Sequence, residues 1–147
     1  VLPCRTMEKA LDTVTSIKDA VPGADLIPAE CNLASLSSIL AFSKGLPSLI
    51  GPTKLDTVCY NAGLARLVGG ELERTEDGFE TTIGTNHLGH FYLNHLLMPS
   101  IQPSGRIVVT ASSVHDPDGP GGAQGEKATL GSLEGFERDG KMFEMVD

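Results

Sequence analysis

The sequence predicts an α/β protein built on a doubly wound parallel sheet, and two observations predict it. Short apolar runs bounded by turn residues alternate with stretches of helical periodicity, a pattern that implies parallel pairing through right-handed crossovers. Polar clusters also close two of the apolar runs, at carboxyl ends of strands, where an open α/β sheet builds its ligand crevice. A chain of 147 residues fits one domain with a real core. No internal repeat, low-complexity tract or domain boundary interrupts it.

Val1-Leu2 reads as the tail of a strand. From Thr6 to Ala20 the residues Met7, Ala10, Leu11, Val14 and Ile17 recur at helical spacing, and Pro22-Gly23 ends the pattern. Asp25 to Cys31 is expected to be a short strand. Ser35 to about Phe42 carries Leu36, Ile39 and Leu40, a second amphipathic helix with Ala34 or Ser35 near its cap. After the loop Gly51-Pro52-Thr53-Lys54, Leu55 to Tyr60 is expected to be a buried strand. The acidic stretch Glu71 to Asp77 leads into a long helix, expected from Thr75 or Glu76 to about Leu97 and ended by Pro99. Arg106 to Ala111 is the last strand. From His115 onward the chain holds seven glycines and two prolines, a loop composition assigned to residues from about 116 to 147.

Hydrophobic residues make up 40% of the chain and both charge signs are present, which describes an ordered globular protein. The net charge of −8 argues against nonspecific nucleic-acid binding, because no basic stripe is present to release phosphate counterions. The acidity is uneven. Residues 1–60 carry five basic and six acidic groups, residues 61–147 six and thirteen, so the first part is the better place to receive an anion. Cys4, Cys31 and Cys59 make an odd count without CxxC spacing, expected as reduced core thiols in a reducing compartment, cytoplasm or plastid. No segment reaches the roughly 18 apolar residues of a membrane span. The chain opens on Val1 and not on Met, so we expect an internal segment of a longer protein.

Asn61-Ala62-Gly63 closes the strand that begins at Leu55. A turn of small residues there lets a flat ligand approach closely, though such a tripeptide alone is equally a plain turn. Gly84 and Gly89 within a helical pattern each cost about 1 kcal/mol relative to alanine, which points to close packing against the sheet or a neighbouring helix. Asn86 lies between them, in a setting that suits a hydrogen-bonded core asparagine as well as a functional one. His87 and His90 have a chelating spacing, with His95 further on, but no acidic third ligand accompanies them, so no metal site is expected. Ser112-Ser113 end the strand from Ile107. No GxSxG elbow surrounds them, so a hydroxyl that bonds a reacting carbonyl fits better than a nucleophile. Arg5, with Lys9 one turn later, offers a forked cation and a second charge suited to a phosphate.

These signatures, in this order, resemble the short-chain dehydrogenase/reductase family over residues 1 to about 115. The resemblance rests on Arg5, Asn32-Leu33, Asn61-Ala62-Gly63, Asn86 and Ser113. It implies a Rossmann-like doubly wound sheet that is incomplete here, with strands two to five and their helices, in a single partial dinucleotide-binding domain over residues 1–147. Glu73 to Glu80 leading into Asn86-His87-Leu88-Gly89-His90-Phe91 is similar to the retinol dehydrogenase and light-dependent protochlorophyllide reductase branch. Lys127 to Leu133, after a Gly-rich run, is closer to the protochlorophyllide-reductase side.

The resemblance implies an NADP-dependent oxidoreductase passing hydride from NADPH to a carbonyl or activated carbon–carbon double bond of an apolar small molecule. Arg5 and Lys9 then take the 2′-phosphate. Asn32 and Leu33 meet the adenine, Asn32 standing where the family commonly has aspartate. Asn61, Ala62 and Gly63 line the cofactor ribose region. Asn86 distorts its helix and offers its carbonyl to a proton-relay water, and Ser113 orients the substrate, with Ser112 as the neighbouring choice. Neither the TGxxxGxG turn nor the Tyr-x-x-x-Lys pair occurs in the chain, and Tyr60 and Tyr92 cannot replace the tyrosine. Retinoid or steroid carbonyl reduction, and a non-catalytic dinucleotide-binding protein with a degenerate site, are the alternatives. Homo-oligomer formation through the long helix is an open expectation.

Overall fold

A computed structural model describes residues 1–65 and 72–120. Strand β1 (Leu2–Cys4) leads into helix α1 (Met7–Ala20). Thr6 caps this helix, its Oγ1 accepting from the Lys9 N–H at 3.3 Å. Strand β2 (Pro28–Glu30) lies parallel to β1, with Leu2 opposite Pro28 and Cys4 opposite Glu30. It is shorter than the expected Asp25 to Cys31 because β1 offers only three residues to pair. Flanking bonds from the Leu2 N–H to the Ile27 carbonyl and from the Cys31 N–H to the Cys4 carbonyl close its ends.

Helix α2 (Leu36–Ile50) starts where expected, on Ser35, but runs past Phe42 through Gly45 and Pro47. A helix-interior proline costs about 3 kcal/mol. Burial offsets it: Leu46 is 1% exposed, Leu49 and Ile50 pack on the core, and each large aliphatic buried contributes about 1.5–3 kcal/mol. Asp77 adds a second cap, its Oδ2 accepting from the Leu36 N–H at 2.8 Å.

Strand β3 (Leu55–Tyr60) pairs in parallel with β4 (Ile101–Val109). The ladder shifts register between Leu55 and Thr57, so β4 begins earlier than the expected Arg106. Gly105 permits this crowded stretch; a Cβ there would come within 2.6 Å of the Ile101 side chain. The strand does not reach Ala111.

The long helix begins at α3 (Thr81–Ile83), not at Thr75 or Glu76. Glu80 sets the start, its two carboxylate oxygens accepting from the Thr82 and Ile83 N–H groups at 2.7 Å each. The preceding residues instead form a turn with Gly78 at φ 87° and a Thr75 N–H to Phe79 carbonyl bond. A π-helical segment (Gly84–Gly89) follows, then α4 (His90–Leu97) and a 3-10 turn (Met98–Ser100).

The class is α/β with parallel pairing, as expected, but among the described residues the strands form two separate parallel pairs, β1–β2 and β3–β4, with no ladder joining them. This is the incomplete sheet that the resemblance implies. Helices α2 and α4 pack together, and Ile39, Phe42, Leu46, Leu93 and Leu97 close over Ala29, Cys31 and Tyr60. Helix α1 covers β1 and β2 with Ala10 and Val14, outside that cluster.

Strand β3 is not the buried strand expected. Leu55 and Val58 are half-buried and only Tyr60 is buried, while Thr57 and Cys59 are exposed. On its neighbour, Ile107, Val108 and Val109 are exposed as well. The cysteines divide accordingly: Cys31 is buried, Cys4 half-buried and Cys59 exposed, all free thiols, so Cys59 is not the core residue expected. Among the described residues no helix is long and apolar enough to cross a membrane. The Gly-rich region from about 116 enters the described residues only up to Pro120, through a turn closed by the Gly119 N–H on the Asp116 carbonyl. Residues 121–147, including the Lys127 to Leu133 run, lie outside them.

Candidate functional site

The site residues gather where the strands end. At the end of β3, the Asn61 Oδ1 accepts from the Thr110 hydroxyl at 2.8 Å, and the Thr110 N–H donates to the Tyr60 carbonyl at 3.0 Å. These two bonds fasten the carboxyl ends of β3 and β4 together. They use the Asn61 amide oxygen and leave its amide nitrogen as the group with donors to give. Asn61, Ala62 and Gly63 are all exposed.

Asn86 holds the next stretch of chain. Its Nδ2 donates to the Leu64 carbonyl at 2.7 Å, and its Oδ1 accepts from the Leu64 N–H at 2.9 Å. The amide thus pairs with one residue as a neighbouring strand would, fixing the turn after Gly63. A Cβ on Gly63 would stand 3.6 Å from the Asn86 Oδ1, an ordinary contact, so the Asn86 clamp does not itself require a glycine there. Asn86 is exposed and not a core asparagine.

Main-chain geometry at Asn86 follows from the two glycines. In the π-helical turn, carbonyls point away from their usual α-helical partners, and the Asn86 carbonyl accepts from His90 Nδ1 at 2.9 Å. Because a carbonyl only accepts, this bond places the proton on Nδ1. The His90 ring leans on Tyr60, with centroids 5.3 Å apart, and the Tyr60 hydroxyl donates to the Asn94 Oδ1 at 3.2 Å. Burial pushes the Tyr60 hydroxyl up to about 12, which keeps it a neutral donor in that chain of contacts. Close packing at Gly84 and Gly89 was expected from the sequence, but their partners are loops. Gly84 meets Thr75 and Phe79, and Gly89 abuts the Leu33 carbonyl.

That last contact draws the end of β2 to the same edge. The Asn32 Oδ1 accepts from the Ala34 N–H at 3.1 Å, and the Asn32 N–H donates to the Ser38 Oγ at 3.0 Å. The amide oxygen expected to meet adenine is therefore already in use, with one lone pair left. Leu33 is half-buried and packs on the core. Arg5 and Lys9 are exposed at the end of β1 and in the first turn of α1. They belong to the edge through the pairing of β1 with β2, and among the described residues no hydrogen bond joins them to Asn61 or Asn86.

Beyond β4, Ser112 caps a 3-10 turn (Ser113–His115), its hydroxyl accepting from the Val114 N–H at 3.3 Å, and His115 Nδ1 donates to its carbonyl. Among the described residues no partner engages the exposed Ser113 hydroxyl. Ser112 uses its hydroxyl oxygen as an acceptor and keeps its proton to give, so the two serines differ in the oxygen and not in the donor. Sequence reasoning missed Thr110, His90 and Glu30. Thr110 carried a signal, a hydroxyl on a strand end beside Asn61. His90 carried only its spacing of four from Asn86. Glu30, whose carboxylate accepts from the Met7 N–H at 3.1 Å, carried none, since the register of β1 on β2 brings it there.

Residues 1–124 match the family model described as short chain dehydrogenase. The chain is 35% identical over 116 residues to retinol dehydrogenase 11 of Homo sapiens, covering 78% of this chain and 35% of that protein. It is 32% identical over 140 residues to the chloroplastic protochlorophyllide reductase of Daucus carota, covering 92% of this chain and 34% of that protein. The chain thus spans about a third of the length of these curated relatives. Among solved structures, the alcohol dehydrogenase of the archaeon Thermococcus sibiricus, complexed with 5-hydroxy-NADP, superposes with a TM-score of 0.61 at 24% identity. That match covers 82% of this chain and 50% of that one and speaks to the fold alone. With its strand-end clusters in family order and most of its length matched, the chain belongs to the short-chain dehydrogenase/reductase family of oxidoreductases.

Proposed function

We propose that this chain forms one wall of the cofactor cleft of an NADP-dependent reductase acting on a carbonyl or an activated carbon–carbon double bond. The Asn86 arrangement carries the reading: one side chain clamps the turn after Gly63 from within a π-helical segment, and its carbonyl accepts from a side chain, His90. The two glycines let this helix pack closely on Leu33, Thr75 and Phe79, and the π-helical turn between them sets Asn86 on Leu64.

NADPH, when bound, supplies the hydride; this chain supplies binding and orientation. The donor set suits a flat dinucleotide with an extra phosphate. Arg5 and Lys9, exposed at the start of α1, take the 2′-phosphate, the guanidinium as a fork and the ammonium as a point charge. Asn32 uses its remaining lone pair, and Leu33 its side, on the adenine. Asn61 presents its amide nitrogen, and Ala62 and Gly63 leave room for the ribose. The Asn86 carbonyl, with one lone pair left beside the His90 bond, takes the proton-relay water, and Ser113 donates to the substrate oxygen.

A protochlorophyllide-like substrate is favoured because the likeness to the Daucus carota enzyme extends over 92% of this chain, against 78% for the human retinol dehydrogenase. The higher identity of the latter supports retinoid carbonyl reduction as the second reading. A longer protein carrying this chain at the relatives' full length would separate them, by reduction of protochlorophyllide in light or of retinal in the dark. The 147-residue chain alone is expected to turn over no NADPH. Its cofactor wall is tested by equilibrium titration of NADPH against the wild type and Gly63→Val. Saturable binding weakened at least about tenfold in the variant is expected; equal affinity, or no binding by the wild type, overturns the reading.

A further inference from the structure

We infer that Glu30 sets the cofactor preference of this site, as an internal anion that competes with the 2′-phosphate at the start of α1. The inference rests on the cofactor placement proposed above. The register of β1 on β2 puts Glu30 beside Cys4, one residue before Arg5. From there its Oε2 reaches across to accept the Met7 N–H at 3.1 Å, the first amide of α1.

A helix N-terminus is an anion site through its free N–H groups and the positive end of the dipole. Here the protein has already supplied acceptors: Glu30 takes the Met7 N–H and Thr6 Oγ1 the Lys9 N–H. The charges are matched as well. Arg5, Lys9, Glu8 and Glu30 all belong to this helix start, two cations and two acids, so its formal charge sums to zero instead of being positive. A 2′-phosphate with a charge of about −2 meets Glu30 as a like charge and as a rival for the amide. A ribose hydroxyl meets the same carboxylate as an acceptor. Glu30 therefore weakens NADPH relative to NADH and sets the balance against Arg5 and Lys9, whose charges favour the phosphate.

The test uses the purified chain and two probes that differ only by the 2′-phosphate, AMP and adenosine 2′,5′-bisphosphate. Each is titrated by ¹H–¹⁵N NMR into the wild type, Glu30→Gln and Glu30→Ala, with thermal melts to establish that each variant is folded. Gln keeps an acceptor for the Met7 N–H and removes the charge, whereas Ala removes both. Amide shifts at residues 5–9 report whether the nucleotide lies there at all. The expected result is shifts at residues 5–9 and an affinity ratio for the bisphosphate over AMP raised about five- to tenfold in at least one variant. Shifts there with an unchanged ratio in both variants overturn the role of Glu30 and leave the cofactor placement standing. No shift at residues 5–9 in any of the three proteins overturns both.

Discussion

Asn86 works at two levels with one residue. Its side chain pairs with Leu64 through both amide groups, and its main-chain carbonyl is received by His90. Replacing it with alanine removes two hydrogen bonds at an exposed position, each contributing roughly 0.5–1.5 kcal/mol. Asn86→Ala is therefore expected to lower unfolding stability by about 1–2 kcal/mol in urea titration. An unchanged midpoint would show that the Leu64 turn is held by something else. As candidates, Asn61, Gly63 and the serine pair were legible in the sequence because each closes an apolar run, and Asn86 because it lies between two glycines in a helical pattern. Leu64, Thr110 and Glu30 were not, because their importance comes from partners 22, 49 and 23 positions away. No local pattern encodes such distances.

The helical run from Thr81 to Leu97 shows how elements are decided by their ends and their neighbours. Helical periodicity placed its body correctly, but the Glu80 carboxylate on two first-turn amides moved its start. In the same way, Leu46, Leu49 and Ile50 carried α2 through Pro47, past the end at about Phe42 that the sequence predicts. Gly89 belongs to this scale because it lets the π-helical turn lie against the Leu33 carbonyl. Alanine gains about 1 kcal/mol of helix propensity but puts a methyl group into a backbone oxygen that cannot swing aside. Such overpacking costs about 1–3 kcal/mol, and the displaced turn would carry Asn86 off Leu64. Gly89→Ala is expected to lower the melting temperature and to weaken protection of the Leu64 amide in hydrogen exchange. A variant as stable as the wild type, with that amide still protected, would contradict this contact.

At the scale of the whole molecule, two buried acids tie the core to pH. Burial raises the Cys31 thiol from its usual 9.0 to about 11 and the Tyr60 hydroxyl from 10.0 to about 12. Both groups are neutral when protonated, so the fold favours the protonated form. Their contribution is complete below about pH 9 and is lost as pH rises through the raised values. The urea midpoint should be flat between about pH 7 and 9 and fall steadily above, with Tyr60→Phe removing part of the slope between about pH 10 and 12. A midpoint independent of pH up to about 11 would mean that neither group is sheltered. The sequence by itself determined the class, the order of strands and helices and the family, because periodicity, turn residues and strand-end clusters are local and repeat along the chain. Only the tertiary structure decided that the strands form two parallel pairs, that one face of β3 stays open, and that Asn86, Thr110 and Glu30 hold the site edge. Those outcomes depend on which surfaces meet, and burial and hydrogen bonding are settled between segments far apart in sequence.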